Sequence, residues 1–428
     1  MNDLSSKALK LLHENTQTAE YKGKIYKFSV PSKEIYPFQW LWDSCFHAIS
    51  FSVLGENERA KEELRSLLAK QADDGAIYHI TFWKTDKLKD YLFLSTRGFG
   101  RFLENRGFWL PLNFLNSPKT TAYTQPPVLA KAAEKIYENS KDKDFVREIL
   151  PALFKYYRWL YKTRDLDGDN LISILTPIES GLDFCPAYDE AIGYKNKFLP
   201  LFLRSRWLQF LNKFIFNFDP YKIYKNGPFH QKDVLFNSIA IQALFSLAYL
   251  AEEIGNKEIY DWAHDKAQAG LRSLCEKSYD KETGLFYNLS GKEDKAMKIK
   301  TIVSLMPLII SQLPANIARR LVQEHIINQK EFYTPYPVAS VSWDEAVFAP
   351  DSLVDGHLRI WRGPLSMNTN WFLVHALREH GYADTADEIT KKSRELAEKH
   401  GFWEFYNPLT GEPQGARDFG WATLVVDM

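Results

Sequence analysis

The feature that most constrains this chain is an alternation between two kinds of helical segment. One member of each pair is apolar on nearly every face, and the next carries a single apolar stripe among charges. Residues 40–54, WLWDSCFHAISFSVL, precede 58–71, ERAKEELRSLLAKQ. In the same way 124–140 precede 144–163, 231–255 precede 257–277, and 365–381 precede 383–401, with a weaker pair at 301–310 and 315–328. A third inner segment is expected within 192–216, and 416–428 end the chain apolar again. A helix that is apolar all round has to be enclosed by protein, whereas a one-striped helix lies outside it. The alternation therefore demands two concentric layers. About six pairs in 428 residues predict an all-α toroid of inner and outer helices, the (α/α)6 barrel. A solenoid of stacked pairs would show a repeat of ~20–50 residues, and no such repeat is present. Residues 279–289 and 402–413 read as minor hairpins with Thr-Gly at their turns. Glycine and proline are scattered rather than gathered into linkers, so a single domain over residues 1–428 is expected.

Charge and cysteine usage exclude several classes of function. Lys plus Arg is 54 and Asp plus Glu is 54, which leaves no net field for nucleic acid or an anionic membrane. Cys45, Cys185 and Cys275 are odd in number and widely spaced, so they offer neither a disulfide framework nor a zinc knuckle. The N-terminal MNDLSSKALKLLHENT lacks the apolar core of a signal peptide, and no later stretch is read as spanning a bilayer. A cytoplasmic protein is expected, with no membrane or nucleic-acid partner, and the oligomeric state is open.

The long connections carry the chemistry. Residues 72–123 and 164–194 are too long for simple connectors. The run YPFQWLWDSCFH (36–47) places Tyr36, Trp40, Trp42 and Asp43 at the mouth of an apolar helix. Flat aromatic faces suit the CH face of a sugar ring, and a neighbouring carboxylate accepts from hydroxyls, although such a cluster also suits plain core packing. In TPIESGLDFCPAYD (176–189), Glu179 and Asp183 bracket Gly181, and crowding of two carboxylates raises the pKa of one toward general-acid use. In GFWEFYNPLTGEPQG (401–415), Glu404 either faces solvent or lies inside a cleft. Trp361-Arg362-Gly363-Pro364 sets a cation beside an indole before an inner helix, as a polar contact for substrate or as a cation–π brace. DLDGDNL (165–171) is a turn rather than an EF-hand, because Gly168 precedes the third acidic position; a loop calcium there stays open. No nucleotide-binding loop, zincin motif or nucleophile elbow occurs, and no cofactor or metal is implied.

Four blocks in order resemble glycoside hydrolase family 63: Q-W-x-W-D-S-x-F-H (39–47), E-S-G-x-D (179–183), W-R-G-P with N-x-N-W (361–371), and E-x-Y-x-P-x-T-G with F-x-W-x-A (404–422). The resemblance implies an (α/α)6 barrel and an inverting α-glycosidase with a small-molecule glycoside as substrate. The absence of a β-sandwich before the barrel resembles the compact bacterial branch that includes mannosylglycerate and glucosylglycerate hydrolases. Asp183 matches the family's general acid and Glu404 its general base. Tyr36, Trp40, Trp42, Asp43, Gln125, Glu179, Gly181, Trp361, Arg362 and Gly363 match its substrate-binding positions. Departures at Phe184-Cys185-Pro186 and at Leu365-Ser366-Met367 bear on substrate identity. A glucobiose-cleaving α-glucosidase, a trehalase and a non-catalytic sugar-binding protein remain alternatives. An epimerase on the same toroid would need paired histidines, and His47 and His375 have no helical partners. Arg204, Arg206 and Arg362 are cations that could meet a glycerate carboxylate.

Overall fold

A computed structural model describes residues 3–83, 123–193, 198–354 and 357–428. The middle of the expected connection 72–123 lies outside these residues. The helices are α1 (Asp3–Glu14), α2 (Leu41–Val53), α3 (Asn57–Ala69), α4 (Leu129–Ser140), α5 (Lys143–Arg164), α6 (Phe198–Phe214), α7 (Pro220–Asn226), α8 (Val234–Glu253), α9 (Lys257–Lys277), α10 (Ala315–Arg320), α11 (Met367–Glu379) and α12 (Ala383–His400).

Six inner members close a ring. Segment α2 packs on α4, α4 on α8, α8 on the tight helix Ile302–Ile309, that helix on α11, α11 on Gly420–Asp427, and Gly420–Asp427 back on α2. The character of the residues accounts for this placement, since most side chains of α2, α8 and α11 are buried. Ile302–Ile309 is buried throughout and contains Pro307, whose missing N–H and fixed φ favour a short 3₁₀ helix over an α-helix. The two-faced helices form the outer layer, with α3 on α2, α5 on α4, α9 on α8 and α12 on α11. The chain's own ends complete the toroid, because α1 packs its buried Leu4, Ala8, Leu11 and Leu12 against the C-terminal segment. One contiguous buried cluster runs from Leu4 to Met428. The expected all-α barrel is therefore the observed architecture.

Two expectations change. The third inner segment is not in 192–216: the ring passes from α4 to α8, and α6 leaves Trp207, Phe210 and Phe214 exposed along one face. Helix α8, among the described residues, is long and apolar enough to cross a bilayer, yet 83% of its most apolar stretch is buried inside the barrel. Its apolarity is that of a core helix.

Strands are short. The predicted hairpins are Tyr279–Asp280 with Leu285–Phe286 and Trp403–Tyr406 with Pro413–Arg417. A four-stranded ribbon (Lys295–Ala296, Leu289–Ser290, Gln231–Lys232, Ser173–Ile174) also forms.

Candidate active site

The start of α2 is the anchor. Its first turn has no side-chain cap of its own, and helix N-termini leave backbone donors unmatched. These donors are met from a distance: Leu41 N–H donates to the His79 carbonyl at 3.0 Å, and Trp42 N–H donates to Gln125 Oε1 at 3.3 Å. Gln125 is buried and so acts on the helix start. The aromatic run divides in two. Trp42 is core, edge-on to Trp421 with ring centres 5.6 Å apart, while Tyr36 and Trp40 are half-buried and meet edge-on at 5.7 Å.

Glu404 lies inside, not on the surface. It sits on Trp403–Tyr406, and the partner strand carries one extra residue opposite it, where the register shifts between Trp403 and Phe405. Bulges of this kind re-aim side chains and local backbone groups. At the bulge Gly415 takes φ +76°, and a Cβ there would come 2.8 Å from Glu404 Oε2, so glycine is required on two grounds. The following N–H, of Ala416, donates to Glu404 Oε2 at 2.9 Å. The Tyr36 hydroxyl donates to Oε1 at 3.0 Å. The backbone is held as well, since Ser366 Oγ and Trp421 Nε1 donate to the Glu404 carbonyl at 3.2 and 3.3 Å.

Asp43 lies close enough to Glu404 to feel its charge. Burial, then repulsion from Glu404, pushes the Asp43 carboxyl well above the usual carboxylate range. Its Oδ1 is buried and, among the described residues, has no hydrogen-bond partner. A buried polar atom without a partner is costly.

The loop bearing Asp183 is fastened by its neighbours. Glu179 is fully buried, with Oε1 accepting from Thr124 N–H at 3.2 Å and Oε2 from both Arg164 Nη1 and Leu175 N–H at 2.7 Å. Arg164 thus pairs with Glu179, and both Glu179 oxygens accept hydrogen bonds from the protein. Gly181 takes φ +75° with the Trp42 ring beneath it, where a Cβ would come within 2.6 Å. The loop therefore rests on α2, and Asp183, two residues on, is half-buried.

The W-R-G-P segment forms the third wall. Trp361 is buried edge-on to Phe405 at 4.9 Å, next to Glu404. Arg362 is 1% exposed, and its Nη2 donates to Asp189 Oδ1 at 2.5 Å. Gly363 admits no side chain, since a Cβ would come 2.2 Å from the Ala349 carbonyl. Trp42, Trp361, Phe405 and Trp421 thus form one aromatic floor linking the regions that carry Asp43, Asp183 and Glu404.

Other sequence-marked groups fall elsewhere. Arg204 donates to the Ile192 carbonyl at 2.7 Å, and the Arg206 side chain lies outside the described residues. His47 is buried beside Gly420, and burial followed by the Arg59 charge pushes it down to about 3. His375 meets Asp427 at 3.2 Å, so the two histidines form no acid–base pair. Asp165, Asp167 and Asp169 do converge, but Lys232 Nζ donates to Asp167 and Asp169 at 2.6 Å each, and Lys277 also reaches Asp169. Two of the three carboxylates therefore already meet an ammonium group. Sequence reasoning also misses Asp189 and Arg164, whose partners are distant in the chain.

A family model described as the mannosylglycerate hydrolase MGH1-like glycoside hydrolase domain matches residues 36–422. The mannosylglycerate hydrolase of Thermus thermophilus is 32% identical, with 98% of each chain covered. A glucosylglycerate hydrolase of Mycolicibacterium hassiacum is 26% identical over 92% of this chain and 91% of its own. The crystal structure of a family 63 mannosylglycerate hydrolase from Thermus thermophilus in complex with Tris superposes with a TM-score of 0.84 at 28% identity, covering 99% of both chains.

Proposed function

Because this chain belongs to glycoside hydrolase family 63, in its mannosylglycerate hydrolase MGH1-like group, we propose that it hydrolyses an α-glycoside of glycerate with inversion at the anomeric carbon. Mannosylglycerate is the first candidate substrate and glucosylglycerate the second, following the names of the relatives. The catalytic unit is the whole barrel, since α1 packs on the last turn.

The roles follow from the chemistry. Protonated Asp183 donates to the glycosidic oxygen as the bond to the anomeric carbon breaks, and glycerate leaves. Glu404 takes a proton from water attacking the opposite face of the sugar, which requires the two carboxyl groups ~6.5–9.5 Å apart. Asp43 exchanges hydrogen bonds with a hydroxyl of the glycone, and Trp40 and Tyr36 line its edge. Gln125, Glu179, Gly181, Trp361 and Gly363 hold the walls.

The observation that carries this reading is Glu404 itself, a strand carboxylate drawn inward by a bulge and gripped by one hydroxyl and one N–H, beside a buried Asp43. Incubation with mannosylglycerate, glucosylglycerate, trehalose and the α-glucobioses, with release of glycerate or glucose measured, tests it. Turnover of a glycerate glycoside, reduced by ~10²–10⁴ in both Asp183→Asn and Glu404→Gln, is the expected result. Full activity in either variant would remove that residue from its role.

A further inference from the structure

The two proposed catalytic carboxylates stand on separate segments, and one buried ion pair joins those segments. On the acid side, the chain from Asp183 to Asp189 is folded into consecutive tight turns: Cys185 N–H donates to the Leu182 carbonyl, Tyr188 N–H to Cys185 and Asp189 N–H to Pro186, at 2.9, 3.2 and 3.1 Å. Residues 184–188 are buried, and the Tyr188 hydroxyl is tied to Asp233 Oδ2 at 2.8 Å. Asp189 therefore cannot shift without carrying Asp183 with it.

The base side is equally stiff. Leu365 and Tyr406 exchange both backbone hydrogen bonds at 3.0 Å, Trp361 packs on Phe405, and the Arg362 carbonyl accepts from Ala349 N–H at 2.7 Å. Arg362 is thereby fixed to the strand of Glu404.

Across the gap the Arg362 fork meets Asp189 at 2.5 Å, with Arg362 1% and Asp189 16% exposed. Taking both charges out of water offsets most of their mutual attraction, so a pair of this kind adds little to stability while it fixes geometry.

We infer that the Asp189–Arg362 pair is a strut that sets where Asp183 stands relative to Glu404, which makes Asp189 a positioning residue for proton donation. The inference rests on the proposed function. Displacement of a proton donor by an ångström costs on the order of 10²-fold, and the loss falls only on substrates whose leaving group needs the proton.

The test compares two substrates in one set of variants. Mannosylglycerate leaves as an alkoxide and needs the acid, whereas α-mannosyl fluoride leaves as fluoride and depends on it far less. Asp189→Asn should lower kcat on mannosylglycerate by roughly 10–100-fold, with KM within about threefold and the fluoride rate within about threefold. Asp189→Glu, which keeps the charge, should recover part of the loss. Asp183→Asn should show the same split in stronger form, and Glu404→Gln should lose both activities. Equal loss on both substrates in Asp189→Asn, a change in KM alone, or no loss would overturn the strut. Asp189→Asn melting far below wild type while Asp189→Glu folds without the split would also overturn it. A wild type inert toward both substrates, or Asp183→Asn without the split, would instead overturn the proposed function, and the strut with it.

Discussion

The Tyr36 hydroxyl donates to Glu404 Oε1 over 3.0 Å, joining residues 368 apart in the chain. Tyr36 lies ahead of α2, the first inner helix, and Glu404 ahead of the segment that closes the ring against α2, so the contact crosses the seam where the toroid is sealed. The placement of the proposed general base thus depends on closure of the whole barrel.

Tyr36→Phe removes a donor to the Glu404 side chain and leaves the edge-on ring contacts with Trp40 and Phe419 in place. A hydrogen bond to a charged group contributes about 1.5–3 kcal/mol. Steady-state kinetics should therefore show kcat lower by roughly 10–100-fold, with a melting temperature close to wild type. Unchanged kcat would mean that Glu404 is oriented without the tyrosine.

Gly181→Ala places a methyl group 2.6 Å from the Trp42 ring at a backbone φ of +75°. The Trp42 ring is itself packed against Phe46 and Trp421. Strain and overpacking each cost about 1–3 kcal/mol. Urea unfolding should report a loss in that range, together with a fall in kcat as the Asp183 loop lifts off α2.

Asp189 gives stability a pH signature. Burial pushes its carboxyl up to about 6, even though Arg362 and Arg359 both face it and pull it down. The folded chain thus binds this proton more tightly than the unfolded one, whose carboxyl has pKa ~3.9. The protonated group's contribution is full below pH ~4 and is lost as pH rises through about 6. Urea midpoints for wild type and Asp189→Asn should converge or cross over that window, with a change in their difference on the order of 3 kcal/mol, and run parallel above pH ~7. A difference that grows in favour of wild type as pH rises would show that the ion pair outweighs the burial.

Chelators should do nothing. Lys232 Nζ meets Asp167 and Asp169 at 2.6 Å and Asp294 at 2.8 Å. Excess EDTA should leave both melting temperature and turnover as they were, and added calcium should not raise the melting temperature. A calcium-dependent shift would mean that the ion displaces the lysine.

Much of this architecture is legible in residue order because burial on all sides leaves a mark no other role leaves. Helices α2, α8 and α11 are buried on most faces, polar residues included, and α3, α9 and α12 carry one stripe each. That mark misleads at α6, where FLPLFLRSRWLQFLNKF has the composition of an inner helix and yet exposes Trp207, Phe210 and Phe214. It is silent on α1, whose role as outer partner to Gly420–Asp427 joins the two ends of the chain. In the site, Glu404 is marked by its motif, but whether it points in or out depends on the bulge at Gly415. Glu179 and Asp183 look like a carboxylate pair at a spacing of four residues, and the sequence gives no sign that Arg164 from α5 pairs with Glu179. Asp189 stands in the same stretch of sequence without a role, since its meaning comes from Arg362 at the far end of the chain. The same distance hides Lys232 from the acidic loop.

The most direct measurement is proton NMR of the first anomer released from 2-O-α-mannosylglycerate, recorded before mutarotation. Attack by a water activated at Glu404, on the face opposite the bond protonated by Asp183, predicts β-mannose as the initial product. Initial release of α-mannose would contradict the two-carboxylate inverting assignment.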